Sequence, residues 1–233
     1  MSQISAAALD TLRQWDTPTI CNALELVAPE RRATGFTVEN MVCRGPDFPP
    51  MVGVAKTAMI RALAPSHRVG AQAAAHRVAY YEYVADSQLP TISVIQDLDP
   101  NPGFGAFWGE VNTAIHLGLG CLGLVTNGSI RDLDQCAPGF QMLAGKIGPS
   151  HAWVHVTEFA TPVNVFGMTV VDGDIIHADR HGAVVVPAGV VDKIPAAVDL
   201  LVRREAVILD CARAPDFTID KLRKALASSA EIH

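Results

Sequence analysis

Apolar segments of strand length alternate with segments of helical spacing along this chain. Residues 91–96 form one apolar-rich segment, which ends at Asp97, and residues 121–126 form a second that is almost continuously apolar. We predict that the second is a strand buried on both faces, because a strand covered on one face would alternate with polar residues. A helix is predicted between them at about residues 106–117. The pattern therefore predicts a βαβ unit whose strands are parallel and joined by a right-handed crossover.

Further elements are predicted on both sides of this unit. Residues 52–62 have strand character, and residues 71–85 have helical character. After residue 160, tight turns rich in Asp and Gly separate four short predicted strands, at residues 163–166, 168–171, 175–178 and 183–186. From residue 188 to about 211 the apolar positions recur at helical spacing, and the remaining C-terminal residues are predicted to form a helix or tail.

The first fifty residues differ from the rest. Residues 6–15 are predicted to be helical, and a second helix is predicted to begin at Thr17, which would cap it, with Pro18 in its first turn. Residues 28–50 are rich in Pro, Gly and Arg and are predicted to be irregular. Because the chain contains no internal repeat and no low-complexity linker, we predict one α/β domain with an N-terminal helical extension.

Composition limits the function classes. The formal net charge of −6 argues against a general nucleic-acid binder, because phosphate backbones are held chiefly by Lys and Arg. No run approaches the roughly 20 apolar residues that cross a bilayer, so no membrane association is expected. Residues 1–10 lack a basic segment followed by a long apolar one, so a secretory signal is not predicted.

The five cysteines are odd in number, widely spaced and form no C-x-x-C pair. This pattern disfavours a disulfide scaffold or a zinc cluster and favours a reducing, cytoplasmic location. Cys121 opens an apolar strand, and we interpret it as a buried small hydrophobic residue rather than a nucleophile.

Residues 103–109 form a glycine-rich segment between a predicted strand and a predicted helix start. Glycines let the backbone approach a ligand, and free amides at a helix N-terminus attract anions. The segment is neither a Walker loop nor a G-x-G-x-x-G motif, so a plain loop and an anion cradle both remain open. Glu110 follows in the first helical turn, where it would favour the helix dipole or position and deprotonate a water.

Arg131 and Asp132 follow the buried strand and an Asn127-Gly128 pair that suggests a turn. This is the strand end at which open α/β sheets usually bind ligands. Arginine can hold a carboxylate with two donors, and aspartate offers a hard oxygen ligand for Mg²⁺ or Mn²⁺. The pattern indicates a small anionic oxo-acid beside a divalent metal, although a surface ion pair would give the same dipeptide.

His151 and His155 are predicted to share one face, whether their segment is helical or extended. A histidine metal site needs a third ligand, and the sequence offers none nearby. We therefore favour structural or exposed histidines over metal ligands. Asp172, Asp174 and Asp179 are interpreted first as turn residues, because they lack the ligand pattern of a calcium loop.

Several of these residues, in this order, resemble the RraA-like family. The resemblance spans about residues 17–205 and is densest from 91 to 191. It includes Trp108-Gly109-Glu110, Gly118, Gly123-Leu124-Val125, Gly128 and Arg131-Asp132, followed by a later series from Pro162 to Pro187 that contains Gly173-Asp174 and Gly182-Ala183-Val184-Val185-Val186. Asn127 and Asn22 depart from it, since many relatives carry Asp there. These departures concern the substrate more than the fold.

The resemblance implies an α/β fold of the β/β/α swivelling-sandwich type, with N-terminal helices and a C-terminal helix. A single domain would span residues 1–233, with the helical extension at about 1–50, the family core at about 51–192, and the C-terminal helix and tail at 193–233. It also implies assembly as homotrimers or homohexamers with sites at subunit boundaries.

The resemblance further implies the site of a class II, divalent-metal-dependent pyruvate aldolase. Arg131 would bind the pyruvate oxygens and steady the enolate, and Asp132 would contact Mg²⁺ or Mn²⁺ directly. Amides around Gly109, Glu110, Val111 and Asn112 would cradle the carboxylate. Glu110 would also hold a metal-bound water that deprotonates the substrate hydroxyl. A neighbouring subunit would contribute Glu205.

Three functional hypotheses follow. The first is a lyase that cleaves a 4-hydroxy-2-oxo di- or tricarboxylic acid to pyruvate and a second oxo-acid, with oxaloacetate decarboxylation as a side activity. The second is a non-enzymatic regulator that binds a ribonuclease through its ring surface. A swivelling phosphohistidine carrier is the third, and it is disfavoured because His67 and His76 lack a supporting loop. We favour the lyase, without assigning its physiological substrate.

Overall fold

The computed structural model describes residues 4–233, so residues 1–3 of the predicted N-terminal extension lie outside the described part. Its helices and strands follow in chain order: α1 (Ala6–Leu12), α2 (Thr17–Val27), β1 (Val42–Arg44), β2 (Met51–Arg61), α3 (Gly70–Ala85), β3 (Thr91–Asp97), β4 (Ala106–Trp108), α4 (Glu110–Gly118), β5 (Cys121–Ile130), β6 (Gln141–Ile147), β7 (His155–Phe159), β8 (Val163–Val165), β9 (Met168–Val170), β10 (Ile175–Asp179), β11 (Gly182–Val186), α5 (Ile194–Arg213) and α6 (Ile219–Ala230). Short 3-10 helices lie at Pro29–Arg31 and Ala188–Lys193.

The predicted α/β class, with helices at both termini, is confirmed. The main sheet has nine strands in the order β1-β6-β5-β3-β2-β10-β11, with β4 paired to β5 and β7 paired to β2. The central strands β6, β5, β3 and β2 are parallel, and the outer pairings are antiparallel. The predicted parallel pairing of β3 with β5 is also confirmed.

Both faces of the central strands are buried, which explains the continuous apolar runs in the sequence. Along β5, Leu124 packs into a cluster with α3 and with the buried Trp108 of β4, whereas Val125 packs on the opposite face against the β8–β9 hairpin. A third cluster joins α1, α2 and α5 to β10 and β11. The sheet therefore has helices α3 and α4 on one face and the hairpin on the other. Within residues 4–233 no helix is long and apolar enough to cross a membrane.

Several local predictions were wrong. Residues 106–108 are not helical but form β4, because Ala106 and Trp108 pair with Ser129 and Ile130 of β5. The Asn127-Gly128 pair is not a turn, since β5 continues through it to Ile130. The side-chain amide of Asn127 instead binds the backbone at the end of β3. Its Oδ1 accepts the backbone N–H of Asp97 at 2.7 Å, and its Nδ2 donates to the backbone carbonyl of Asp97 at 3.1 Å.

The start of α2 also differs from its prediction. The N-cap is Asp16, whose Oδ1 accepts the Thr19 amide at 2.9 Å. Thr17 lies inside the first turn, where its amide donates to Asp179 and its hydroxyl contacts His177 Nδ1. The predicted cap was thus one residue late, and Thr17 fastens the N-terminal helices to β10 instead.

Candidate functional site

Backbone pairing places Arg131 and Asp132 beside the start of α4. The Arg131 amide donates to the Trp108 carbonyl at 2.9 Å, which fixes the end of β5 against the end of β4. Gly109 and Glu110 follow directly after Trp108. Residues that are more than twenty positions apart in sequence are thereby brought together.

Asp132 has a left-handed backbone conformation, with a φ of 52°. Its carbonyl accepts the amides of Gln135 and Cys136, so this turn is held by its own hydrogen bonds. The carboxylate points back toward α4, where Oδ2 lies 3.4 Å from the Glu110 amide and 3.3 Å from Arg131 Nη1. Aspartate is one of the few residues with a side chain that tolerate this conformation.

Gly109 is required by space rather than by backbone conformation. Its φ of −163° is extended and open to any residue. A Cβ built on it would lie 2.5 Å from Asp132 Oδ2 and 3.2 Å from Arg131 Cγ. The absence of a side chain at residue 109 is what lets the carboxylate and the guanidinium pack against the N-terminus of α4.

We expect Gly109→Ala to lower turnover by roughly 10- to 100-fold with little loss of stability, because the new methyl group displaces Asp132 by a fraction of an ångström to an ångström. Steady-state kinetics and thermal unfolding of the same preparation measure both effects. Gly118→Ala is the matched control, since it lies in the same helix and its added Cβ meets nothing within 4 Å. Equal activity of the two variants would contradict the packing argument.

The N-terminus of α4 presents free amides. Gly109 is the N-cap and provides no side chain to cap the helix, and the first turn contains Glu110, Val111 and Asn112. The Asn112 side chain is already occupied, since Nδ2 donates to the Phe107 carbonyl at 2.6 Å and Oδ1 accepts the Tyr81 hydroxyl at 2.8 Å. Any contact from Asn112 to an anion would therefore come from its backbone N–H. The Glu110 and Val111 side chains are exposed.

The glycines at 103 and 105 do not extend this cradle. The Gly103 amide donates to Asp97 Oδ2 at 2.7 Å, and Gly105 packs so closely that an added Cβ would meet the His151 carbonyl at 2.5 Å. These two glycines organise the loop. Of the two interpretations of the segment, the plain loop applies to residues 103–105, and an anion cradle is available only from Gly109 onward.

Below the site, α4 is fixed by a buried histidine. His116 Nδ1 faces the Asn112 carbonyl at 2.7 Å and must donate, so Nε2 accepts the Tyr80 hydroxyl at 2.9 Å. Burial lowers the pKa of His116 to about 4, and the hydrogen bond to Asn112 opposes that effect only in part. His116 is therefore neutral at pH 7 and joins α4 to α3.

This histidine predicts acid sensitivity. The unfolded chain binds a proton at the ordinary histidine pKa and the folded chain only near pH 4, so the free energy of unfolding should fall as the pH drops from about 6.5 to 4. The loss attributable to His116 is roughly 3 kcal/mol. Urea unfolding at pH 7 and pH 5 should show a smaller loss for His116→Gln. His177, whose pKa burial also lowers, contributes in the same direction in both proteins. An unchanged pH dependence in the variant would contradict the assignment.

A cavity of about 540 Å³ adjoins the site. Arg131, Val111 and Asn112 line one side of it, and α3 and the segment 151–156 line the other. Arg131 Nε is buried and has no hydrogen-bond partner within residues 4–233. The guanidinium thus has donor capacity left for a ligand in this cavity.

The donor set around Asp132 suits one kind of metal site. Within the described residues no group of three His, Cys, Asp or Glu side chains could hold a metal ion. A site built from Asp132 alone would suit Mg²⁺, which often binds one or two carboxylates and keeps several waters. His151 and His155 both line the cavity, but each Nδ1 faces a backbone carbonyl at 2.8 Å. They do not lie on one strand as predicted, since only His155 belongs to β7.

Glu205 is not brought to this site within the chain. It lies exposed on α5, which packs against α2 and α6. The cavity residues Arg68, Arg77 and Tyr81 were not predicted as site residues, and His76 was considered only as a phosphohistidine. The sequence predicted their helix or loop but gave no signal for which face would meet the end of β5.

Comparison with known proteins identifies the fold. An uncharacterised protein from Pseudomonas syringae pv. tomato has a TM-score of 0.71 at 20% identity, covering 97% of this chain and 96% of that one. A protein described among novel cellulases from microbes of the gut ecosystem has a TM-score of 0.71 at 17% identity, covering 88% of each chain. Streptomyces coelicolor RraAS2 is described as an unusual member of the RNase ES inhibitor RraA protein family. It has a TM-score of 0.64 at 20% identity, covering 88% of this chain and 96% of that one.

These identities establish a shared fold only. A search of curated proteins finds no significant match. The model of the RraA-like family, described as Aldolase/RraA, matches residues 17–185. The matched region contains β2 to β10, all but the last residue of β11, and every site residue named above except Glu205. On this match over most of its length, the chain belongs to the RraA-like family, which includes both aldolases and regulators of ribonuclease activity.

Proposed function

We propose that this protein is a divalent-metal-dependent lyase that cleaves 4-hydroxy-2-oxo acids to pyruvate and a second oxo-acid. The observation that carries the proposal is the packing of Arg131 and Asp132 against Gly109 at the N-terminus of α4. A guanidinium and helix amides then line one edge of a cavity, and a carboxylate lies directly beside them. A pure binding protein has no need of this combination.

Arg131 binds the pyruvyl end of the substrate. Its guanidinium can donate two hydrogen bonds to a carboxylate or to the neighbouring carbonyl oxygen. When the bond between C3 and C4 breaks, its electron pair moves toward C2 and negative charge develops on the C2 oxygen. A fixed donor stabilises that charge more than it stabilises the neutral ketone, which is the requirement for catalysis.

Asp132 holds the metal, which most simply is Mg²⁺, and Mn²⁺ is the alternative. A bound divalent cation supplies Lewis-acid stabilisation of the enolate oxygen. The backbone amides of Glu110, Val111 and Asn112 orient the substrate carboxylate. The Asp132 carboxylate already contacts Arg131 Nη1 and the Glu110 amide, and it has further lone pairs for a metal.

Glu110 accepts the proton of the C4 hydroxyl through a water. Loss of that proton turns the C4 oxygen into the carbonyl of the second oxo-acid as the C3–C4 bond breaks. The proton that Glu110 took through the water then returns to C3 of the enolate, which releases pyruvate and restores the Glu110 carboxylate. Oxaloacetate decarboxylation passes through the same enolate, so it is a natural side activity.

The site is completed at a subunit boundary in a homotrimer or homohexamer, where Glu205 would come from the neighbouring chain. Large apolar side chains near the site support an assembly, because exposed patches of this kind mark contact surfaces. More than half of the surface of each is exposed in the single chain: Phe104, Val111, Ile147 and Trp153.

The second candidate function is a regulator that binds a ribonuclease. It is favoured by the same exposed apolar surface and by the family description, which covers both activities. The two functions differ in the need for the cavity. A regulator would tolerate replacement of Arg131, whereas the lyase would not.

The deciding experiment measures pyruvate release from 4-hydroxy-4-methyl-2-oxoglutarate with Mg²⁺ and then with excess chelator. Chelator-sensitive release supports the lyase. If there is no release from this acid, from 4-carboxy-4-hydroxy-2-oxoadipate or from oxaloacetate, the lyase proposal fails for these substrates. Ribonuclease inhibition by the same preparation would then support the regulator.

A further inference from the structure

The cavity beside Arg131 has an unusual balance of charge. Among the described residues that line it, none is Asp or Glu. Its basic side chains are Arg68, His76, Arg77, Arg131, His151 and His155. For a chain with a net charge of −6, a cavity without a single carboxylate indicates a ligand with more than one negative charge.

Arg68 and Arg77, the two arginines of the lining other than Arg131, differ in their contacts. Arg68 donates to the Thr157 carbonyl at 3.2 Å and lies 3.7 Å from Glu158 Oε1, so its charge is partly satisfied. Arg77 makes no ion pair or side-chain hydrogen bond within residues 4–233. Its charge is therefore available to a ligand.

The side chain of Arg77 is exposed and is carried by a helix that is joined to the catalytic edge. It lies one helical turn before Tyr81 on α3, and the Tyr81 hydroxyl is bonded to Asn112 in the first turn of α4. Burial raises the pKa of Tyr81, and the positive charge of Arg77 opposes that rise. The Tyr81–Asn112 hydrogen bond thus joins the helix that presents Arg77 to the helix that cradles the substrate.

We infer that Arg77 is a specificity-determining residue that binds the distal carboxylate of a dicarboxylic substrate, with Arg68 adding to the positive potential. This inference rests on the proposed function, because it assumes that Arg131 holds the pyruvyl end. A cavity of about 540 Å³ falls within the range of small-molecule sites and accommodates a five- or six-carbon acid between its two walls. Monocarboxylic analogues would leave Arg77 without a partner.

The test uses two unreactive acids of the same length. Neither 2-oxoglutarate nor 2-oxopentanoate has a C4 hydroxyl, and they differ only in whether C5 is a carboxylate or a methyl group. Calorimetric titration with Mg²⁺ present should show that the wild-type protein binds 2-oxoglutarate at least 10-fold more tightly. Arg77→Gln should reduce that preference to about twofold and leave 2-oxopentanoate affinity within twofold of wild type, as expected for loss of one charge-assisted contact.

Arg223→Gln on α6 is the control, since it removes the same charge from a side chain that is 72% exposed and outside the cavity lining. It should leave the preference unchanged. If Arg77 had only a structural role, Arg77→Gln would weaken the binding of both acids to the same extent. The inference is overturned if the wild-type protein shows no preference, or if the preference survives in Arg77→Gln.

Failure of this inference is distinguishable from failure of the proposed function. If pyruvate is released but the preference for 2-oxoglutarate does not depend on Arg77, the lyase proposal is supported and the carboxylate subsite is contradicted. An Arg77-dependent preference without pyruvate release from any of the named substrates would support the dicarboxylate subsite and remove the lyase.

Discussion

Replacing Arg131 with alanine is expected to lower kcat/KM for pyruvate release by about 1000-fold, at the upper end of the loss seen for single donors to a developing oxyanion. The guanidinium interacts with charge that is larger in the transition state than in the substrate. Both kcat and kcat/KM should therefore fall. Steady-state kinetics with 4-hydroxy-4-methyl-2-oxoglutarate measure the effect.

The fold should survive this substitution. The backbone amide of Arg131, not its side chain, holds β5 to β4, and the side chain pairs only with the adjacent Asp132. Arg44 provides the contrast, because its guanidinium donates to four backbone carbonyls of the segment 133–140. Arg44→Ala should lower stability, whereas Arg131→Ala should leave oligomeric state and unfolding temperature near the wild-type values. Unchanged turnover in Arg131→Ala would remove the lyase proposal.

The central sheet could be predicted from the sequence because its apolar pattern has one physical explanation. Strands β3 and β5 are covered on both faces, which in β5 gives an almost continuous apolar run over residues 121–126, and the helix between them forces a parallel pairing. Strand β6 was missed. Its first four residues are buried, but Gly145 and Lys146 interrupt the pattern and its last two residues are exposed.

The error at residues 106–108 has a different origin. Ala106, Phe107 and Trp108 are apolar, and a short apolar run is compatible with either a helix or a strand. Pairing with Ser129 and Ile130 decides the outcome, and such a contact between distant residues leaves no local signal. The correction matters for function, because a strand up to Trp108 is what makes Gly109 the N-cap of α4.

The site itself was predictable only in part. The position of Arg131 and Asp132 after a buried strand indicated a ligand-binding edge, and Glu110 was indicated by its place in a first helical turn. The sequence could not indicate that residue 109 must lack a Cβ because Asp132 packs against it. It also could not identify Arg77, because α3 is mixed in composition and only its packing against α4 determines which face lines the cavity.

Asp132→Asn is expected to raise the Mg²⁺ concentration for half-maximal activity by at least about 100-fold. Loss of a residue that only orients a metal ligand already lowers metal affinity by about 10- to 100-fold, and Asp132 is proposed to be the ligand itself. Asparagine has the same shape and tolerates the φ of 52°, so the turn and the hydrogen bond to the Glu110 amide can persist. The substitution therefore removes charge without removing structure. Magnesium titration of activity, together with direct Mn²⁺ binding, measures the change.

Asp134→Asn is the matched control for this change. Asp134 lies two residues further along the same loop and is exposed, so the control removes the same charge from the same region of the surface. It should leave the magnesium titration unchanged, because screening by water and salt weakens the effect of an exposed charge that does not contact the ion. If both variants shift the titration equally, the metal responds to general surface charge and Asp132 is not its ligand. A shift confined to Asp132→Asn would support Asp132 as the ligand.

Because the Arg131→Ala variant keeps this carboxylate, it should still bind Mn²⁺ even though it does not turn over substrate.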